Sequence, residues 1–205
     1  MKKIWILIMT TMLTLSMNAQ EIKLVPPQKK GGMPLMEALA NRKTNRDYSQ
    51  QELTAQQLSN LLWAAAGVNR EDGKRTAPTA RNAQEIEIYV LNKEGAYLYL
   101  PKEHLLKLVA AGDHRDKGAS QEHFQQCPLM LIFVANYDKM DGFSEEAIAM
   151  YSGTDAGNIS QNVYLYCASE GLATCALGSI HRDKLQKLLN YNGKAILGQS
   201  VGNAK

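Results

Sequence analysis

No excess of one charge marks this 205-residue chain, in which 23 Lys+Arg stand against 20 Asp+Glu for a formal net charge of +3. A nucleic-acid or acidic-membrane partner needs a basic stripe that displaces counterions, so neither is expected. A membrane-spanning run is also missing, because the one long apolar stretch, Ile4–Met17, is too short to cross a bilayer as a helix. Cysteine is scarce. Cys127, Cys167 and Cys175 fall at no zinc or redox spacing, and their odd count allows at most one internal disulfide. The chain has no Gly-rich dinucleotide or phosphate loop, no His-Glu-x-x-His pair and no nucleophile elbow. Hydrolase and metalloenzyme readings therefore lose their usual residues. His104, His114, His123 and His181 are scattered among polar residues and read as surface or capping groups, so no metal site is expected.

What is present is a composition of 45% hydrophobic and 21% charged residues, the profile of one globular domain with a sizeable core. Lys2 and Lys3, the apolar run and then Asn18-Ala19-Gln20 have the form of a cleaved export signal over 1–20. A membrane anchor or a buried first helix is the alternative. No Cys follows the run, so a lipid anchor is not expected. Cleavage near Ala19 or Gln20 leaves 21 basic against 20 acidic residues in an exported protein of a bacterial periplasm. Pro26, Pro27, a Lys pair and a Gly pair make 21–32 an extended arm, and the folded domain spans 33–205.

Pro34 suits the first turn of a helix to about Asn41 that buries Leu35, Met36 and Leu39. Thr54 and Gln57 form a capping-box pattern ahead of a helix over 55–66. Alternation predicts a strand at 86–90 and a hairpin partner at 97–100, followed by a helix over 102–111. Leu129–Ala135 is continuously apolar and short, which fits a central strand covered on both faces. A long helix over 154–172, a short one over 180–189 and a strand over 195–201 complete the order.

Three segments stand out chemically. Arg42-Lys43-Thr44-Asn45-Arg46 offers cations and a hydroxyl that could grip a phosphate and its polyol, or could be a solvated charge run at a helix C-terminus. The loop Ala77-Pro78-Thr79-Ala80-Arg81-Asn82-Ala83-Gln84 combines small side chains, which admit a flat ring, with amides that can read its edge; alternatively it is a loop with a capping Asn. Gly171–Ser179 is a small-residue passage between two helices that could present backbone N–H groups to a ligand.

In this order and spacing the segments resemble the nitroreductase family of flavin enzymes, and particularly its peptide-azoline-dehydrogenase-like branch. The family's patterns are Arg-Arg-Ser-x-Arg, Pro-Ser-x-x-Asn-x-Gln and Gly-Leu-x-x-Cys-x-x-Gly, and the resemblance covers essentially the whole chain beyond the leader. It implies an α+β fold, a mainly antiparallel central sheet flanked by helices, and a homodimer with FMN at its interface. It also implies that Arg42, Lys43, Thr44 and Arg46 hold the phosphate and ribityl chain, helped by Lys205. Pro78, Thr79, Ala80 and Asn82 would reach the flavin of the other subunit. Ala176, Leu177 and Gly178 would lie against the isoalloxazine, and Ser120 and His123 near its pyrimidine edge.

The implied activity is an FMN-dependent oxidoreductase that passes electrons from a small organic donor to an acceptor by a ping-pong route, its protein residues acting as binders rather than as acids or bases. The alternative is an exported flavin-binding or electron-carrier protein without catalysis. Glu85-Ile86 replace a Pro-Trp that often follows the Gln, and the Lys-Tyr pair of a dedicated azoline dehydrogenase is absent. Because NADH and NADPH are scarce outside the cytoplasm, export implies a donor other than free nicotinamide.

Overall fold

The computed structural model describes residues 21–205, so the leader expected over 1–20 lies outside the described residues. Among those described, no helix is long and apolar enough to cross a membrane. Seven strands form one sheet: β1 (Glu21–Lys23), β2 (Ile86–Leu91), β3 (Gly95–Leu100), β4 (Leu105–Ala111), β5 (Leu129–Asn136), β6 (Leu172–Leu177) and β7 (Gly193–Asn203). Their order is β1-β4-β3-β2-β5-β7-β6, and every neighbouring pair is antiparallel. Around them lie α1 (Leu35–Asn41), α2 (Ala55–Ala66), α3 (Arg115–Gly118), α4 (Glu122–Gln125), α5 (Glu145–Glu170) and α6 (Arg182–Leu189).

β5 shows why the sheet is central. Side chains alternate across a strand, so Leu129, Leu131, Phe133 and Ala135 enter the core beneath α2 and α5 while Met130, Ile132 and Val134 enter a second core with α6. Both faces are covered, as the uninterrupted apolar run predicts. Helix α2 begins where the capping box places it, with Thr54 Oγ1 accepting from Gln57 N–H and Gln57 Oε1 accepting from Thr54 N–H at 2.9 Å. Ser144 caps α5 by accepting from Ala147 N–H, and Gly171 ends it with a left-handed φ of 67°.

Four expectations are corrected. Residues 105–111 are strand β4 rather than part of a helix, with Leu106, Leu108 and Ala110 turned inward and Lys107, Val109 and Ala111 exposed. Pairing with β1 and β3 overrides the helix propensity of Leu, Lys and Ala. The passage between helices at 171–179 contains β6, whose small residues are buried against β7 at the edge of the sheet. Helix α5 starts at Glu145, before Thr154. On α1 only Ala38 is buried; Leu35 (63% exposed), Met36 (76%) and Leu39 (43%) face outward.

The three cysteines are free and buried. Burial pushes the Cys127 thiol up to about 12 and raises that of Cys167 further, as expected of thiols that behave as small hydrophobes.

Candidate functional site

Arg42 terminates α1, its N–H bonded to Ala38 O at 2.9 Å, and the chain then runs beside β6, where Asn45 N–H donates to Thr174 O at 3.0 Å. A first group gathers at Tyr164: the Arg42 guanidinium lies 5.2 Å from the centroid of its ring and Thr44 Oγ1 is 3.1 Å from its Oη, while Arg46 stands close enough to Cys175 for its charge to act on the thiol. Lys43 and Asn45 line an open cavity of about 400 Å³ with Met33, Ala168, Thr174 and Lys205, and Ala168 is one helical turn on from Tyr164.

Tyr164, on α5, joins the first group to β6. Its hydroxyl accepts the Ala176 N–H at 2.9 Å while meeting Thr44, so one phenol links the cation segment to the small-residue strand. Leu177 is buried and pairs with Gly198. Gly178 leaves the strand in an exposed position where an added Cβ would meet nothing within 4 Å, so a planar group can approach the backbone there. At the same end Ser120 donates twice to Ser179 O, from N at 3.0 Å and from Oγ at 3.2 Å. His123 is three residues on, its ring packed against Phe124 at 3.9 Å rather than on Ser179. Burial raises the Cys175 thiol, and the Arg46 guanidinium opposes that shift.

The Pro78–Gln84 loop is elsewhere. Ala80 N–H donates to Asp155 Oδ2 at 3.0 Å, and Asp155 stands nine positions before Tyr164 on α5. At 1.5 Å and 100° per residue, that is about 13 Å along the axis and half a turn around it. Within one chain the loop and the cation segment therefore meet opposite faces of one helix. Arg81, Asn82 and Gln84 have φ of 52°, 56° and 51°, a conformation that side chains other than Gly adopt at a cost. Local bonds hold it: Thr79 Oγ1 accepts from Gln84 N–H at 3.0 Å, and Gln84 Nε2 donates to Asn82 Oδ1 and to Gly73 O, both at 3.1 Å.

The electrostatics around the cation segment are one-sided. The five ion pairs among the described residues, such as Lys74–Asp72 and Lys139–Glu87, leave Arg42, Lys43, Arg46 and Lys205 without a carboxylate. Cations without a carboxylate, a hydroxyl pair and open backbone together suit a ligand that carries both a phosphate-like anion and a flat ring. Sequence reading missed Tyr164, because its partners Thr44 and Ala176 are remote along the chain and helical periodicity says only which face a residue takes. It missed Asp155 and the neighbouring Glu85 for a similar reason, since both are acidic residues that the fold buries.

Residues 39–203 match the sequence signature of the Nitroreductase family. A protein of Methanocaldococcus jannaschii that carries the name nitroreductase is 30% identical over 178 residues, which cover 82% of this chain and 90% of that one. A crystal structure from Ralstonia eutropha JMP134, also named as a nitroreductase, superposes with a TM-score of 0.85 at 39% identity over 90% of each chain. A Staphylococcus epidermidis protein described as an NAD(P)H:FMN oxidoreductase shares the fold, with a TM-score of 0.63 at 12% identity over 87% of this chain and 91% of that one.

Proposed function

This chain belongs to the nitroreductase family, and from that premise we propose that it is an FMN-dependent oxidoreductase, built as a homodimer, that moves electrons between two small molecules in turn. The observation that carries the reading is the arrangement around Tyr164: Arg42 without a carboxylate partner, the Thr44 hydroxyl, and the strand that leads to backbone at Gly178 open to a ring.

These residues fit FMN. Arg42 and Arg46 bind the phosphate as charge-assisted donors, and Thr44, held by Tyr164, orients the ribityl hydroxyls. Gly178 lets the isoalloxazine lie against the main chain, and Ser120 steadies that turn through Ser179. When bound, the flavin supplies reversible two-electron chemistry that no side chain here provides. The protein would hold the phosphate with cationic donors and leave the backbone at Gly178 open to the ring, so donor and acceptor would use one site in sequence, with ping-pong kinetics.

The homodimer reading rests on α1, whose Leu35, Met36 and Leu39 are exposed immediately before Arg42. A second copy covering this stripe arrives beside the cation segment and brings its own Pro78–Asn82 loop, the half-site that one chain cannot complete. The leader expected over 1–20 places the protein in the periplasm, where a quinol, a redox protein or an oxidisable organic compound serves as donor in place of NADPH. The Lys-Tyr pair of the azoline-oxidising branch is absent, which argues against peptide azolines as the substrate.

Anaerobic reduction of the loaded protein followed by addition of an aromatic nitro compound or a quinone tests the reading. Reoxidation with stoichiometric product formation over repeated cycles is expected. Stable flavin binding without turnover of any acceptor would identify a carrier instead.

A further inference from the structure

Glu85 precedes β2 at the end of the Pro78–Gln84 loop and is fully buried, yet neither of its carboxyl oxygens meets a donor from another described residue. Its neighbour is the buried Asp155, whose Oδ2 accepts the Ala80 N–H at 3.0 Å. Two ionised carboxylates offer only acceptors to each other, and a buried acceptor without a donor is costly. One proton resolves both problems, because a neutral Glu85 can donate to Asp155 and reinforce its grip on the loop.

We infer that Glu85 is a positioning residue that acts as a neutral acid: it donates a hydrogen bond to Asp155, Asp155 holds the Ala80 N–H, and loss of that proton loosens the Pro78–Gln84 loop. The charged groups facing Glu85 are Asp155 from α5 and Arg75 from the segment before the loop; β5 meets it through the Asn136 N–H, which donates to the Glu85 carbonyl. Burial and the Asp155 charge raise the Glu85 carboxyl to about 7, and Arg75 opposes them less strongly. Arg75 itself is committed in part to Ile86 O at 3.3 Å. The next acid on β2, Glu87, is paired with Lys139 at 2.8 Å.

The sign follows from the raised value. The folded state holds the proton where the unfolded chain has lost it, so the contribution of Glu85 is fully present below the ordinary carboxylate range and is lost as pH rises through about 7. The loop is ordered in mild acid and loosened in mild base. The consequence for flavin affinity rests on the proposed function; the loop's own behaviour does not.

The test is hydrogen exchange at the Ala80 amide in the full chain across neutral pH, divided by the intrinsic base-catalysed rate, with Glu85→Gln alongside. The glutamine keeps a donor toward Asp155 and cannot titrate. Protection in the wild type is expected to fall by up to about tenfold per pH unit from the ordinary carboxylate range up to about 7 and to level off above it, and to stay level throughout in Glu85→Gln. A level wild-type profile, or a parallel fall in Glu85→Gln, overturns the assignment. FMN titration at the same pH values separates the two readings: a chain that shows the protection step but binds no flavin retains the role of Glu85 and contradicts the proposed cofactor.

Discussion

The hydroxyl of Tyr164 lies 3.1 Å from Thr44 Oγ1, across 120 residues of sequence, and accepts the Ala176 N–H at 2.9 Å. One phenol therefore fixes the distance between the cation segment after α1 and the strand that ends at Gly178. Replacing it with Phe keeps the ring under Arg42 and removes only the oxygen, leaving the partly buried Ala176 N–H without its partner. Tyr164→Phe is expected to weaken FMN by about tenfold, equivalent to one ordinary hydrogen bond, with the circular dichroism spectrum unchanged. Equilibrium titration of flavin fluorescence measures it.

Arg42 and Arg46 have no ion pair among the described residues, so truncating them leaves no carboxylate orphaned. Arg42→Ala and Arg46→Ala are each expected to weaken FMN by about tenfold to a hundredfold, and riboflavin, which lacks the phosphate, by much less. Equal losses for both ligands in isothermal titration would remove the phosphate from this end of the site.

Leu35 and Met36 are exposed on α1, so acidic substitutions there leave the core intact. If the proposed homodimer forms over this stripe, Leu35→Asp with Met36→Asp is expected to convert it to monomer in sedimentation velocity. FMN should be lost with it, because the Pro78–Asn82 half-site then departs with the partner chain. A monomeric double variant that keeps its flavin would show that one chain suffices.

Gly193 has a φ of 137°, and a Cβ added there would drive into the Ala135 carbonyl on the neighbouring strand. Gly193→Ala is expected to destabilise the fold by about 2 kcal/mol or more, which lowers Tm by roughly 5 °C in a domain of this size. The entry of β7 into the sheet has no room for a side chain.

How much of this was legible in the sequence depended on whether the signal was local. Thr54 and Gln57 announced α2, and the uninterrupted Leu129–Ala135 run announced a strand covered on both faces, because each signal lies within a few residues of its effect. The register of β4 was also written locally, as alternation of Leu106, Lys107 and Leu108, but helix-forming residue types masked it. The start of α5 was obscured by Ser152 and Gly153, although Ser144 ahead of Glu145 and Glu146 forms a recognisable helix cap. At the site, Arg42, Thr44 and Gly178 could be nominated from ordered motifs. The contacts of Tyr164, and the burial of Glu85 against Asp155, arise only when distant segments meet.

The most direct test of the central claim is the visible absorption spectrum of the purified full chain, recorded before and after denaturation and again after incubation with FMN. The expected result is two flavin bands, perturbed from those of free FMN in the folded protein, and close to one FMN per chain released on unfolding. A colourless chain that remains colourless after incubation with FMN and desalting, while folded by circular dichroism, would contradict it.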